Sequence, residues 1–216
     1  MTTYTATVNS SDPFWNGKFV APHPTQDSEL LQQFSFLPRL QEILMLRQVH
    51  ALEHATVWVL DEISASRKSS ASAPAPRSQD NGTLGGLSTD RGFYLYGRVN
   101  ALDLSRAVRL ALDRCKQGEW DLAVHPRCGT NLSVSMLMTA GMALGTFVFL
   151  PKGFLEQAFG LGLSAAIAAQ LAPDLGRLTQ RYVTTSIPFN LEVDEIALAR
   201  DFWGRSAYFV RVRWRE

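Results

Sequence analysis

Residues 129–150 read GTNLSVSMLMTAGMALGTFVFL, a run without one charged side chain. As a helix rising about 1.5 Å per residue it spans roughly 30 Å, the thickness of a bilayer's hydrocarbon. Pro151 and Gly153 interrupt it beside Lys152, and residues 157–173 (QAFGLGLSAAIAAQLAP) form a second uncharged run, rich in Gly and Ala. The pair predicts a hydrophobic helical hairpin over 129–173, in which Gly141, Gly145, Gly160, Gly162 and Ala165 let the backbones approach closely. Only Lys152 and Glu156 carry charge between Cys128 and Pro173, although the whole chain has 21 Lys and Arg against 20 Asp and Glu. The hairpin is therefore expected to be transmembrane, with membrane lipid as its partner. A buried hairpin in a soluble core is the competing expectation, favoured by Thr130, Asn131, Ser133, Ser135 and Thr139. Arg127 before the hairpin and Arg177 and Arg181 after it, against Lys152 alone in the turn, put both ends and the soluble part on the cytoplasmic side.

The near-cancelling charges exclude a general basic surface, and with it nucleic acid as a partner. Two cysteines, Cys115 and Cys128, cannot make a disulfide framework, and the polar first residues do not read as a secretory signal. Upstream of the hairpin, residues 1–35 read as a flexible arm and 36–63 as a long helix. In that helix Leu40, Ile43, Leu44, Leu46, Val49 and Leu52 recur at three- and four-residue spacing. Residues 64–90 are a Ser/Ala/Pro/Gly linker. Residues 91–128 read as a β–α–β unit. GFYLYGRV is its first strand. Asn100 caps a helix that carries Leu102, Ala107, Leu110 and Ala111 on one side and is closed by Gly118. WDLAVHP is the second strand. Residues 174–216 are expected to hold a C-terminal helix and a strand, the latter in AYFVRVRWR. The fold class is α+β: a long metal-site helix, a small β–α–β sheet domain and the hydrophobic hairpin.

The chemistry concentrates in two motifs. His50-Ala51-Leu52-Glu53-His54 has the form H-x-x-E-H, and on a helix His54 returns to within about 40° of His50, one turn on. Two imidazoles so placed suit one metal, with Glu53 on the adjoining flank able to take a proton from a water activated there. Asp61 falls near the same line and is a candidate further ligand or orienting carboxylate. In the second motif, His125-Pro126-Arg127-Cys128, a His and a Cys three apart flank a turn, donors that suit zinc better than magnesium or calcium. Each motif also has a plain alternative: a packed pair of helical histidines, and a small buried thiol.

HALEH, then HPRCGT, then a hydrophobic hairpin resembles a bacterial family of membrane-associated, predicted metal-dependent proteins of uncharacterised function, including cyanobacterial members with the blocks HALEH and HPRCGTNL. An echo of a third block lies in Leu178, Gln180, Thr184-Thr185, Pro188 and the run Val193-Asp194-Glu195-Ile196-Ala197, which in that family reads as a helix. The chain departs from the family at Ala51, Ala55 and the TTSIP of residues 184–188. The resemblance implies that His50, His54, His125 and Cys128 hold a metal, zinc or another divalent transition metal, beside Glu53. It implies an inner (cytoplasmic) or thylakoid membrane location. The expected function is a metal-dependent, peptidase-like hydrolase. The alternative is a non-enzymatic membrane scaffold or assembly factor, with a membrane protein partner and a closed four-ligand structural site. Three protein ligands would point to catalysis and four to structure. A metal-free soluble domain is the third expectation.

Overall fold

In a computed structural model that describes residues 21–68, 84–151 and 153–215, five helices accompany a four-stranded antiparallel sheet, against which α2 and α3 pack. The helices are α1 (Gln26–Gln33), α2 (Leu40–Lys68), α3 (Ala101–Lys116), α4 (Gly129–Phe149) and α5 (Phe154–Thr179). The strands are β1 (Gly85–Thr89), β2 (Gly92–Tyr96), β3 (Leu191–Arg200) and β4 (Ser206–Trp214), ordered β1-β2-β4-β3. The fold class is thus α+β, with a long helix and a hydrophobic hairpin as the sequence predicts.

Helix α2 is the axle. From Gln48 to Asp61 all but His50 and Trp58 are buried, on every side of the helix. Val49, Leu52, Val59 and Leu60 meet Phe93 and Leu95 of β2, Leu104 and Val108 of α3, and Val210 of β4 in one core. Arg114 of α3 ties the two long helices, reaching Glu62 of α2 at 2.6 Å and Glu119 at 2.8 Å. The side chain of Asn100 caps α3 as expected, accepting from the Leu102 N–H at 2.9 Å. The buried stripe of α3 is Leu104, Ala107, Val108, Ala111 and Cys115, whereas Leu102 and Leu110 face outward. Gly92 begins β2 at φ 144°, and a Cβ there would lie 2.0 Å from the Val210 carbonyl oxygen, so only glycine lets β2 close on β4.

Several segment readings need correction. The expected second strand of the β–α–β unit is a 3₁₀ turn, Trp120–Ala123. Two carbonyls beside it, which a sheet ladder would need, are taken by side chains: Ala123 O by His54 and Val124 O by Trp58. The sheet is completed instead by the hairpin of β3 and β4. Val193 to Ala197, expected as a helix, lies in β3; its helix-favouring Glu and Ala are overridden by pairing with β4, with a register shift between Val193 and Glu195. In the expected linker, residues 64–68 extend α2 and 85–89 form β1, while residues 69–83 lie outside the described residues. Residues 26–33 of the expected arm form α1, and residues 1–20 lie outside the described residues.

Both hairpin helices are long and apolar enough to cross a membrane. The second does not stop at Pro173 but continues to Thr179, with a π turn over Gln180–Thr184. Leu137, Val148, Phe149, Phe154, Leu155 and Phe159 are all more than 60% exposed, so the pair presents an apolar exterior. Between the helices the Thr146 and Ser164 hydroxyls meet at 2.9 Å, and a Cβ on Gly160 would lie 2.6 Å from the Thr146 methyl. Of the glycines expected to let the backbones approach, Gly160 does so, whereas a Cβ on Gly141, Gly145 or Gly162 would meet nothing within 4 Å.

The turn between β3 and β4 is held by Asp201. Its carboxylate accepts from Tyr96 Oη at 2.7 Å, the Trp203 N–H at 2.9 Å, the Arg205 N–H at 2.8 Å and Arg205 Nε at 2.7 Å. Desolvation opposes its ionisation, but the bonds from Tyr96 and Arg205 prevail and hold its pKa at about 2. A carboxyl with a folded pKa below its unfolded value stabilises fully above that unfolded value, about 3.9, and the contribution fades as pH falls through about 2. Asp201→Asn should therefore melt below the parent at neutral pH, with the gap closing in acid. Thermal melts in detergent between pH 2 and 7 check this.

Candidate metal centre

The HPRC turn reaches the long helix because the hairpin's roots hold it there. Cys128 caps α4, its sulfur accepting from the Thr130 N–H at 3.4 Å. Asn131, in the first turn of α4, donates Nδ2–H to the Pro126 carbonyl at 2.8 Å and accepts from Gln180 Nε2 at 2.6 Å. The buried Gln180 returns its oxygen to the His125 N–H at 2.8 Å. Helix α5 passes so close to Asn131 that a Cβ on Gly176 would lie 2.3 Å from Asn131 Oδ1.

This clamp aims Cys128 at α2. Its sulfur lies 3.2 Å from His50 Nε2, and ligand atoms of His50, His54 and Cys128 all lie within 4.8 Å of one another. The other ring nitrogen of each histidine is committed. His50 Nδ1 is 3.1 Å from the Thr184 carbonyl and His54 Nδ1 is 2.7 Å from the Ala123 carbonyl. A carbonyl only accepts, so each Nδ1 carries the proton and each neutral ring keeps its lone pair on Nε2. Two imidazole lone pairs and one sulfur can hold a metal ion. Burial opposes ionisation of the Cys128 thiol, but His54 in its protonated form, by hydrogen bond and charge, and bonds from Thr130 hold the pKa below the ordinary range; a metal would take the place of that ring proton.

His125 lies outside the cluster of three donors. Its ring centroid stands 5.6 Å from that of His54 and 4.9 Å from that of Trp58. Its Nδ1 accepts from the Arg127 N–H at 3.3 Å, so a neutral ring carries its proton on Nε2, without a lone pair to offer there. Asp61 is buried on α2 seven residues beyond His54, about 10 Å along the axis, and does not line the site.

Glu53 lies between α2 and β1. The Ser88 hydroxyl donates to Glu53 Oε2, and a Cβ on Gly86 would overlap Oε1. Desolvation raises the pKa of Glu53, opposed in part by that bond. Glu53, His50, His54, His125 and Cys128 line one cleft of about 760 Å³, open to solvent, with Thr130 and Thr184 also in its wall. Ser88, Gly86, Asn131 and Gln180 were not singled out as site residues from sequence. Asn131 falls within the HPRCGTNL block and Gln180 within the third motif block, whereas Ser88 and Gly86 carry no motif signal.

Residues 45–196 match the family described as Domain of unknown function (DUF6391). The chain belongs to this family. It is also 48% identical over 203 residues to an uncharacterised protein of Picosynechococcus sp. strain PCC 7002, covering 94% of this chain and 96% of that one. No solved structure matches. The family match begins just ahead of His50 and ends within β3, so it spans all three donors and the hairpin. It agrees with the expected resemblance to an uncharacterised family and assigns no reaction.

Gln180→Ala would leave the buried His125 N–H without its acceptor, at a cost of about 1–3 kcal/mol. We expect lower stability in detergent by that margin, and a Cys128 thiol that reacts faster with maleimide as the turn loosens.

Proposed function

We propose that the protein is a membrane-embedded, metal-dependent hydrolase whose site lies where the hairpin meets the cytoplasmic domain. The single observation that carries this reading is the three-donor cluster of His50, His54 and Cys128 in an open cleft shared with Glu53. Three protein donors leave a coordination position for water or substrate, the arrangement of catalytic rather than structural zinc. Two imidazoles and a thiolate favour zinc among the abundant divalent ions, and the carbonyls of Thr184 and Ala123 orient the rings as second-shell partners do in known sites. Bound there, zinc would supply Lewis acidity to a substrate carbonyl and acidify a water. Glu53 would take that water's proton and pass it to the leaving group of an amide or ester. Ser88 and Gly86 fix the carboxylate against the helix so that it needs little rearrangement. The membrane part rests on the two apolar helices and their exposed faces.

Purified parent protein should contain one zinc per chain by inductively coupled plasma mass spectrometry, and His54→Ala should contain none. Glu53→Gln should keep the zinc and lower hydrolysis of an aryl fatty-acyl ester about 10²–10⁴-fold, since only the proton acceptor is lost. Zinc retained in His54→Ala, or turnover untouched in Glu53→Gln, would overturn the reading. The full chain should resist carbonate extraction and be released by detergent, whereas a chain lacking residues 130–174 should fractionate as soluble.

A further inference from the structure

The cleft beside the three donors has walls that a small polar substrate would not need. Ile43, Leu46 and Val57 of α2, Leu84 and Leu87 around β1, and Val183 at the exit of the hairpin line it with apolar surface. Three of these form an open lip: Ile43 is 54% exposed, Leu46 40% and Val183 63%. On a soluble domain such residues would be turned inward. Here they adjoin the roots of the two apolar helices, because Gly129 and Thr130 of α4 and Val183 and Thr184 beyond α5 are themselves part of the cleft wall. Exposed apolar residues thus stand on both sides of the junction, on the hairpin exterior and on the lip beside the donors. Arg47 and the exposed Arg127 line the same cleft, basic side chains of the kind that meet lipid headgroups. The cleft's volume falls within the range of sites that enclose a ligand of some tens of heavy atoms.

We infer that the cleft admits a bilayer amphiphile from the side, its acyl chain along Ile43, Leu46 and Val183 and its carbonyl brought to the donors, so that the substrate class is an acyl lipid or acylated amphiphile. The inference rests on the membrane and metal reading above and adds the substrate to it. An extended peptide entering from water would gain little from an apolar lip at the base of the hairpin. It would rely instead on polar partners along the edge strand β1.

The test uses the full-length chain in phosphatidylcholine nanodiscs containing a phosphatidylcholine with a diazirine on one acyl chain. After irradiation, labelled peptides are mapped by mass spectrometry and zinc is measured on the same sample. Label is expected on the cleft segments around Leu46 and Val183, in addition to the lipid-facing hairpin around Leu137 and Phe159. Leu46→Glu and Val183→Glu alter exposed positions and should reduce cleft labelling several-fold while leaving zinc content and hairpin labelling unchanged. His54→Ala should lose zinc yet keep cleft labelling, which separates the occupant of the cleft from the metal. Label confined to the hairpin exterior in a zinc-loaded sample would overturn the inference while the metal reading stands. So would cleft labelling indifferent to both lip variants.

Discussion

A helix buried on every side can carry polar groups only if each is answered, because an unpaired polar atom in a core forfeits the hydrogen bonds that water would give it. Helix α2 carries Gln48, Glu53, His54, Thr56 and Asp61 among its buried residues. The answers to four of its polar side chains come from separate parts of the chain. Gln48 is met by Asp27 of α1 and by Asn190 at the start of β3. His50 is met by the Thr184 carbonyl where the hairpin ends, Glu53 by Ser88 of β1, and His54 by the Ala123 carbonyl before the HPRC turn. The polar groups of α2 are thus the docking code for the rest of the domain, and the donor cluster forms where three of those attachments meet.

That arrangement explains why the site sits at the base of the hairpin and not elsewhere on a 29-residue helix. Cys128 belongs to the first helix of the hairpin and Thr184 to the exit of the second, and both reach His50. The Thr130 and Thr184 hydroxyls also meet at 3.2 Å, so the two roots touch each other as well as the histidine. A tilt or spread of the hairpin in its surroundings would move both attachments of His50 together. Rigidity at the roots, supplied by Asn131, Gln180 and Gly176, is therefore a condition for holding three donors at a fixed spacing.

What the sequence made legible was the part governed by period and charge. Helical spacing alone puts His50 and His54 on one face, and their rings lie with centroids 4.4 Å apart. The charge gap alone marks the hairpin. What it could not make legible was carried by backbone atoms and by distance along the chain. The carbonyls of Ala123 and Thr184 bear no residue-type signature, and Ser88 answers Glu53 from a segment of no special composition. The strand expected at residues 120–126 failed for the same reason: side chains of α2 use its carbonyls, a competition visible only after the helix and turn are packed together. Similarly, Ile43 and Leu46 fit the apolar period of α2 and read as core, but the period cannot say that the neighbouring wall is missing there.

The ligand count depends on a detail of proton placement. His125 follows the sequence pattern of a ligand as well as Cys128 does, and both lie on the same turn. The turn is tight enough that the Arg127 N–H points back at His125 Nδ1 and the Cys128 N–H bonds the His125 carbonyl at 3.2 Å. The first of those bonds leaves a neutral ring with its lone pair facing its own backbone, tilted against Trp58. For His50 and His54 the logic is reversed: carbonyls take Nδ1–H and leave Nε2 for the shared space. One turn therefore supplies a sulfur and withholds an imidazole, and the cluster stays at three donors with one side open to the cleft.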